Sequence, residues 1–441
     1  MSQEDATSSA ANRPPAGGAL AGIRVLEFSQ IVAGPIAGVA LSDFGADVVK
    51  VEPLEGETRR RAGGVYPKES KYFQSLNRGK RSLSLDLKRE EGRALIHRII
   101  PYFDVVISNF RTGVMTRLGI DYEALRKHNH GLIYANITGF GNAGPAATRA
   151  GGDLALQAFS GLIVTEGKVD EYGAPDNVMT TFIDRTTGFA TAMGVIAALY
   201  HRALTGEGQE LHTSLLQSAL ELQSQLVNRE PVEDATMRDP FVDEIRQLRE
   251  AGASHKELLA RRAEHLKGRV THRLYSGGYN TAQGAIVLGA LTRENRDALR
   301  NALGVSDFTD QPDFDINAPG AWERVQELRS QIQARLMTRP AGEWAAILAG
   351  LGAPASEVNF PEEMSEHQLV KEAGVMAELE HEITGSQQVV GPLVRMSRTP
   401  TAATKAAPPL GHHNREVLSE CGLSDTEVTQ LIESGVVGAY E

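Results

Sequence analysis

The chain has 441 residues, a formal net charge of −11 and a hydrophobic share of 41%. This length exceeds what one simple hydrophobic core holds, so it predicts two or three domains. The negative charge argues against nucleic acid as the main partner, because phosphate binding needs a basic surface, although a local basic pocket for a small phosphorylated ligand stays open.

The opening residues and the cysteine content bear on the cellular compartment. Residues 1–20 are rich in Ser, Ala, Pro and Gly and lack a basic segment followed by an apolar one, so they predict a disordered tail without a secretory signal. The single cysteine, Cys421, excludes an intrachain disulfide and suits a reducing compartment. The longest apolar stretch, 188–200, is too short to span a bilayer. We therefore predict a cytoplasmic protein that does not enter membranes.

Strands and helices alternate along residues 21–227. The apolar runs GIRVLEF, ADVVKVE and DVVISNF are typical of strands that are buried on both faces. Further strands are predicted at RSLSLDL, LIYANITGF and QELHTSLL, and helices at AGPIAGVALSDFG, 89–102, 114–128 and 188–204. This alternation predicts an α/β fold with a doubly wound, Rossmann-like parallel sheet, of which 21–227 is the first segment.

Residues 228–335 differ in character from the first segment. Residues 229–270 are charged and predict two amphipathic helices, at 239–251 and 254–266. A hairpin is predicted over YSGGYNTAQGAIVLGAL and a helix at 293–302. This mixture predicts a smaller α+β domain with a charged helical insertion. From 336 to 441 we expect the chain to return to the large domain.

Two turns that follow predicted strands are candidate anion sites. The turn SQIVAGP (29–35) exposes backbone N–H groups at a helix start, although its proline is equally a plain start signal and no GxGxxG is present. Asn109 and Phe110 follow DVVISNF, where an open α/β sheet presents ligand contacts, and Arg117 comes one helical turn into the next helix. Lys80, in NRGKRS, is either a phosphate contact or part of a solvated loop.

Asp184 is a lone carboxylate before a run of small and apolar residues. Aspartate is a preferred N-cap that stabilises a helix by about 1 kcal/mol, and the helix dipole keeps a carboxylate there ionised. An ionised, partly desolvated and oriented carboxylate is also what a covalent nucleophile requires. The local sequence leaves both interpretations, cap and nucleophile, open.

Two adjacent histidines, His412 and His413, are candidate metal ligands. Neighbouring histidines do not project from one helix face, and no cysteine or nearby acid completes a ligand set. We therefore favour a role at a helix entry and predict no metal site.

Several stretches in order resemble the class III CoA-transferases, the family of formyl-CoA transferase, carnitine CoA-transferase and α-methylacyl-CoA racemase. They are GIRVLEFSQIVAGPIAGVALSDFGADVVKVEP, NRGKRSLSLDLKREEGRALIHRII, DVVISNFRTGVMTRLGIDYEALRKHNHGLIYANITGFG, GGDLALQAFSGLI and FIDRTTGFATAMGVIAALYHRALTGEGQELHTSLLQSAL. The ending KAAPPLGHHNREVL is similar to the family's closing motif. The resemblance is close over 20–225 and looser over 340–435.

The resemblance implies an enzyme that moves CoA from an acyl-CoA donor to a carboxylic acid acceptor, EC 2.8.3.-, in an interlocked homodimer. Asp184 stands in the place of the covalent nucleophile, which forms an aspartyl anhydride and then an aspartyl-CoA thioester. CoA enters as a substrate, and no metal or redox cofactor is implied. Asp153 matches an acidic position next to the substrate, and it is predicted to bind substrate together with Gly152 before it. The positions that match CoA-binding residues are Gln30, Val32, Ala33, Lys80, Asn109, Phe110 and Arg117.

The sequence also departs from the family pattern. The family often supplies an arginine for CoA phosphates after VKVEP, and here Arg59–Arg61 are the candidate substitutes. The racemase branch carries a histidine where this chain has Gly152, and a racemase needs two acid–base groups on one carbon. A racemase or isomerase of the same family therefore stays as a disfavoured alternative. A second disfavoured alternative is that the chain is one subunit of a heteromeric transferase, in which residues 229–270 form the docking surface for the partner.

Overall fold

The computed structural model describes residues 17–64, 66–266, 274–316 and 318–440. Residues 1–16 of the predicted tail lie outside the described residues. Contacts divide the described chain into two compact units. The first unit comprises the chain up to Asp170, Pro175–Asn228 and the stretch from Gln368 onward, and the second comprises Glu171–Ala174 and Arg229–His367.

Six parallel strands of the described chain form the central sheet of the first unit. They are β1 (Arg24–Phe28), β2 (Asp47–Glu52), β3 (Lys80–Ser84), β4 (Val105–Ser108), β5 (Ile133–Thr138) and β6 (Glu210–Ser214). Their order is β3-β2-β1-β4-β5-β6, and every neighbouring pair is parallel. This arrangement confirms the predicted doubly wound α/β sheet. The strand order reverses between β1 and β4, which is where such sheets bind ligands.

Helices connect these strands and cover the sheet. They are α1 (Ala33–Asp43), α2 (Thr58–Arg61), α3 (Lys71–Asn77), α4 (Glu90–Ile99), α5 (Val114–Leu118), α6 (Tyr122–Leu125), α7 (Asp153–Ser160), α8 (Leu162–Glu166), α9 (Phe182–Thr205), α10 (Leu215–Glu221) and α11 (Ser224–Val227). The helix predicted over 114–128 is divided, because Gly119 adopts a left-handed φ of 70° and ends α5. The helix predicted from 188 begins earlier, at Phe182.

The second unit combines short strands with helices. Its described elements are α12 (Pro231–Thr236), α13 (Arg238–Glu250), α14 (His255–His265), β7 (Gly278–Asn280), β8 (Ala285–Leu288), α15 (Arg293–Leu303), α16 (Ala321–Leu336), α17 (Ala341–Gly350) and β9 (Ala355–Glu357). The antiparallel pair β7–β8 confirms the predicted hairpin. Side chains of α16 and α17 share one core with β8, so this unit extends past 335, the end of the predicted smaller domain.

The last stretch of the chain returns to the first unit. It contains α18 (Gln368–Ala373), the antiparallel strands β10 (Met376–His381) and β11 (Gly385–Val390), and the helices α19 (Asn414–Glu420) and α20 (Asp425–Glu433). One hydrophobic core joins α4, α19 and α20 to one side of the sheet, and a second core joins α1 and α9 to the other. In the described part of the chain, we find no helix with the length and apolar character needed to span a membrane.

Candidate active site

The turn after β1 and the residues after β4 meet at the point where the strand order reverses. The Gln30 backbone N–H donates to Asn109 Oδ1 at 3.0 Å, and Asn109 Nδ2 donates to the Gln30 carbonyl oxygen at 2.7 Å. These reciprocal hydrogen bonds bring together two residues that the sequence marks as candidate CoA contacts. Val32 and Ala33 follow in the same turn, but their side chains are buried, so they offer a ligand only backbone atoms.

The turn is strained at Ile31, a β-branched residue with a φ of 71°. Its N–H donates to Glu57 Oε2 at 3.1 Å, and the Ser29 carbonyl oxygen, two residues earlier, accepts from Lys50 Nζ at 2.7 Å. Lys50 is fully buried on β2, and its ammonium also lies 3.6 Å from Glu57. Two buried charged side chains therefore hold a backbone conformation that ordinarily costs about 1–3 kcal/mol.

Helix α9 packs closely against the start of α1. A Cβ added at Gly188 would lie 2.6 Å from the Ala33 carbonyl oxygen and 2.8 Å from Ile36 Cβ, so this contact requires glycine. Asp184 lies one helical turn before Gly188 on α9. The small residues of α9 thus place Asp184 beside the strained turn.

Asp184 is the third residue of α9 and not its cap. The N-cap position belongs to Thr181, whose side chain makes no capping hydrogen bond. Instead the Asp184 backbone N–H donates to Asp153 Oδ2 at 2.9 Å. Of the two interpretations left open by the sequence, the N-cap is therefore wrong: a carboxylate from the start of α7 satisfies this N–H group. Among the described residues, none donates a hydrogen bond to the Asp184 carboxylate.

The surroundings of Asp184 favour its neutral form. Burial, with the charge of Asp153 as the second cause, raises the pKa of the Asp184 carboxyl to about 7, while Arg59 and Arg185 act in the opposite direction. The helix dipole was expected to keep this carboxylate ionised, and desolvation outweighs that effect. A carboxylate with a raised pKa is more basic, and such perturbed groups concentrate at functional sites.

Asp153 is itself held in place by Gln157, one turn further along α7. Gln157 Nε2 donates to Asp153 Oδ1 at 2.6 Å and to the Val178 carbonyl oxygen at 3.0 Å, while Gln157 Oε1 accepts the Val178 N–H at 3.0 Å. The Gln157 side chain is fully buried. Gly152, the N-cap of α7, has open space where a side chain would stand.

Lys80 has its ammonium buried behind the start of α1. Its side chain is fully buried, and its ammonium contacts Glu27 Oε2 at 2.8 Å, Asn77 Oδ1 at 3.0 Å and the Pro35 carbonyl oxygen at 3.0 Å. Burial, opposed by the attraction of Glu27, lowers the pKa of Lys80 to about 8. These contacts occupy the ammonium inside the fold, so in this structure Lys80 offers no free donor to a phosphate.

Phe110 and Arg117 occupy a different part of the first unit from Asp184. Phe110 packs on the core of the sheet face opposite to α9 and lines a cavity of about 300 Å³ beside Tyr134 and His212. Arg117 is exposed on α5. The structure therefore joins Gln30, Val32, Ala33 and Asn109 to the Asp184 region. The side chains of Phe110 and Arg117 lie elsewhere in the first unit, and the Lys80 ammonium is enclosed by protein groups.

The three consecutive arginines of α2 have three different environments. Arg60 is fully buried, and its Nε and Nη2 lie 2.7 and 2.8 Å from the two carboxylate oxygens of Glu52. Arg61 is exposed. Arg59 is half-buried, and its guanidinium carbon lies 4.4 Å from the centroid of the Tyr72 ring. Only Arg59 and Arg61 are accessible to a ligand.

Sequence reasoning missed Glu57, Lys50 and Gln157. One signal was present for Lys50, since a lysine within the otherwise apolar strand DVVKVE must be paired if the strand is buried on both faces. Gln157 lies one turn after Asp153, which is the spacing of side chains that interact along a helix. For Glu57, whose partners come from a distant turn, no local signal exists.

Known proteins match this chain over nearly its whole length. The family model described as CoA-transferase family III matches residues 20–414. Succinate–glutarate CoA-transferase of Agrobacterium fabrum is 33% identical, and the match covers 93% of this chain and 96% of that protein. Succinyl-CoA:mesaconate CoA-transferase of Haloarcula marismortui is 31% identical, with coverage of 95% and 99%.

Solved structures show the same architecture. A CaiB/BaiF family protein from Brucella suis superposes with a TM-score of 0.71 at 26% identity, and the match covers 92% of this chain and 100% of that one. The family match extends over nearly the whole described chain, including the turn after β1, Asn109, Asp153 and Asp184. The chain therefore belongs to CoA-transferase family III.

Proposed function

We propose that this protein transfers CoA from an acyl-CoA donor to a carboxylic acid acceptor, with Asp184 as the covalent nucleophile. One observation carries the proposal: the Asp184 carboxylate is largely buried, accepts no hydrogen bond from a described residue and lies beside the strained turn after β1. Asp153 takes over the capping contact, so the Asp184 oxygens remain available to react.

In the proposed mechanism, an oxygen of ionised Asp184 attacks the carbonyl carbon of the donor thioester. The C–S bond breaks, which gives a mixed anhydride and a CoA thiolate. The thiolate attacks the Asp184 carbonyl carbon, the donor acid leaves as a carboxylate, and an aspartyl-CoA thioester remains. The acceptor carboxylate then repeats these steps in reverse. The transfer conserves the thioester only if water is kept away from the anhydride.

Other residues of the site are proposed to position the reactants. The reciprocal contact between Gln30 and Asn109 fixes the turn that lines the approach to Asp184. CoA binding energy from this turn would hold the thioester in attack geometry, which is a recognised source of rate acceleration. The N–H of Asp184 is already bonded to Asp153, so stabilisation of the oxyanion must come from other donors.

Trapping of the acyl-enzyme tests this proposal directly. The protein is incubated with succinyl-CoA, the first donor to try because both curated relatives described above are named for succinate or succinyl-CoA. Hydroxylamine is then added, and the peptide containing Asp184 is analysed by mass spectrometry. We expect hydroxamate formation at Asp184 only when an acyl-CoA is present. Modification of a different residue, or of none, under turnover conditions would refute the proposed nucleophile.

The racemase alternative stays disfavoured. Gly152 offers no acid–base side chain, although the space beside it is open. If deuterium from solvent were incorporated at the α-position of an acyl-CoA without an acceptor acid, the racemase alternative would be favoured.

The cytoplasmic location predicted from the cysteine content remains part of the proposal.

We further propose a homodimer, interlocked as in the family, in which α9 contributes to the interface. Large apolar side chains recur on α9 at the three- and four-residue spacing of one helix face. Met193, Tyr200 and Leu204 are each 69% exposed. Contiguous apolar surface of this kind marks an association site. The exposed members of this face are Phe189, Met193, Ile196, Tyr200 and Leu204.

A charge on this helix face is expected to weaken the dimer. Tyr200→Glu places a carboxylate on the apolar face and should shift the species seen in light scattering after gel filtration from dimer toward monomer. The matched control is Glu207→Gln, which changes an exposed residue just beyond the end of α9. A wild-type protein that is inactive until another chain is added would instead favour the heteromeric alternative.

A further inference from the structure

Two consecutive peptide groups in the turn after β1 are bound on both sides by side chains. The 29–30 peptide donates its N–H to Asn109 Oδ1 at 3.0 Å, and its carbonyl oxygen accepts from Lys50 Nζ at 2.7 Å. The 30–31 peptide donates its N–H to Glu57 Oε2 at 3.1 Å, and its carbonyl oxygen accepts from Asn109 Nδ2 at 2.7 Å. Side chains from three separate segments therefore fix the orientation of both peptide groups.

The 30–31 peptide is the strained one of the two. Its orientation gives Ile31 a φ of 71°, and Lys68 is the only other non-glycine residue of the described chain with a positive φ. A flip of this peptide group would return Ile31 to a negative φ, which a β-branched residue strongly prefers. The flip would also break the hydrogen bonds to Glu57 and Asn109, so these two side chains oppose it.

The Glu57 side chain is buried without serving the helix that it precedes. Glu57 stands at the N-cap of α2, yet its side chain makes no capping hydrogen bond. This side chain is 3% exposed, and no described residue donates a hydrogen bond to its Oε1. Lys50 has a nearer carboxylate in Glu27, at 3.3 Å against 3.6 Å for Glu57. The hydrogen bond to the Ile31 N–H, 26 residues earlier, therefore accounts for the position of this carboxylate.

The turn that Glu57 fixes adjoins the proposed nucleophile through α9. A Cβ added at Gly188 would lie 2.6 Å from the Ala33 carbonyl oxygen, so the end of the turn touches this helix directly. Asp184 lies one helical turn earlier on α9. A change of backbone conformation at Ile31 would therefore alter the surface that a ligand meets on its approach to Asp184.

We infer that Glu57 is a positioning residue for CoA: it holds the 30–31 peptide in the orientation that the turn presents to the ligand. This role rests on the proposed function, which takes the turn after β1 as the place where CoA approaches Asp184. Without the Glu57 carboxylate, relief of the strain at Ile31 favours the flipped peptide, and only a fraction of the molecules keeps the turn in its binding conformation. The apparent dissociation constant then rises by the inverse of that fraction.

A double-mutant cycle with Ile31 tests this inference. Glycine tolerates a positive φ, so Ile31→Gly removes the strain that drives the flip. Dissociation constants for free CoA are measured by calorimetry on the wild-type protein, Glu57→Ala, Ile31→Gly and the double variant. We expect Glu57→Ala to weaken CoA binding about 10- to 100-fold when residue 31 is isoleucine, and by less than about 3-fold when it is glycine.

Two further variants complete the test. Glu57→Gln keeps an acceptor oxygen for the Ile31 N–H but loses the charge, and it should weaken CoA about 3- to 10-fold, because a neutral acceptor binds less strongly. Glu55→Ala, which removes an exposed carboxylate two residues earlier, is the matched control and should change nothing. Because Lys50 keeps Glu27 at 3.3 Å, none of these changes leaves its ammonium without a partner.

Steady-state kinetics separate positioning from a general structural effect. In the Glu57 variants the KM for succinyl-CoA should rise by the same factors as the dissociation constants, while kcat changes by less than about 3-fold. The flip lowers the share of enzyme that binds CoA and not the rate of the bound complex, so the loss is confined to KM.

The outcomes separate this inference from the proposed function. A loss of CoA affinity in Glu57→Ala that is equally large with isoleucine and with glycine at residue 31 would make the role of Glu57 purely structural, and no loss in either would remove it from the site; both results overturn the inference. If Glu57→Ala does not fold, the same comparison with Glu57→Gln decides by the same two results.

Trapping at Asp184 reports on the proposed function independently. If Asp184 is trapped in the wild-type protein but the cycle shows no coupling between Glu57 and Ile31, the proposed function survives and the positioning role is wrong. If Asp184 is never trapped but the cycle shows the expected coupling, the nucleophile is wrong and the role of Glu57 in CoA binding stands.

Discussion

Asp184→Asn is expected to lower kcat for CoA transfer by about 10³-fold or more. The amide has nearly the shape of the carboxylic acid but cannot attack a thioester, so acyl-CoA should still bind while no acyl-enzyme forms. Single-turnover kinetics with succinyl-CoA and mass spectrometry of the protein measure both quantities. Asp176→Asn, which changes an exposed aspartate eight residues earlier, is the matched control and should keep full activity.

The same variant is expected to unfold less easily at alkaline pH. The Asp184 pKa is about 7 in the folded protein, above the ordinary value of 3.8 that applies in the unfolded chain. Between these values the folded chain binds more protons than the unfolded chain, so stability falls as pH rises through this window. The penalty is absent below about pH 4 and complete above about pH 7.

Asp184→Asn should therefore raise the free energy of unfolding at pH 8 by about 1–4 kcal/mol and leave it nearly unchanged at pH 4. Urea unfolding at the two pH values measures the difference. A variant that loses activity while its free energy of unfolding rises indicates a residue that serves function at the expense of stability. An active Asp184→Asn protein, or one that is less stable than wild type at pH 8, would contradict this account of the site.

Arg60→Met is expected to lower the free energy of unfolding by about 3–5 kcal/mol, because it leaves buried carboxylates without their partner. Arg60 contacts Glu52, Glu69 at 3.0 Å and the Pro408 carbonyl oxygen at 2.9 Å, and its guanidinium carbon lies 3.7 Å from the Phe73 ring centroid. Burial alone would raise the pKa of Glu52, and the attraction of Arg60 lowers it below its ordinary value.

Arg61→Met is the control for this prediction, since it removes an exposed arginine next in sequence. Urea unfolding should place Arg61→Met within about 0.5 kcal/mol of wild type. If Arg60→Met were as stable as Arg61→Met but bound CoA weakly, Arg60 would be a phosphate ligand after all. Arg60 and Arg61, although adjacent in sequence, are thus expected to differ in their effect on stability, because only Arg60 is buried.

The sheet was predictable from sequence because its strands carry their own signal. Apolar runs such as VLEF and DVVIS are typical of strands covered on both faces, and helices between them require parallel neighbours. The beginning of α9 was less predictable. Phe182 and Ile183 belong to the helix, but the small-residue pattern that suggested a helix starts only at Gly188.

The site was only partly predictable, because its electrostatics depend on contacts between distant segments. Asp184 was identified from the family motif, but its hydrogen bond to Asp153 spans 31 residues. Lys80 looked like a loop cation, and its burial depends on Glu27, 53 residues away. Local sequence patterns predict helices and strands, whereas ion pairs between distant segments form only when these elements pack together.

Helix α9 carries Asp184 in its first turn and the exposed apolar face along its length, without interruption from Phe182 to Thr205. Packing of that face against a second chain would stabilise the helix and reduce fraying of its first turn. If the proposed dimer forms through this face, the position of the Asp184 carboxylate depends on association, and specific activity depends on protein concentration. Specific activity should then fall when the protein is diluted below the concentration at which the proposed dimer dissociates.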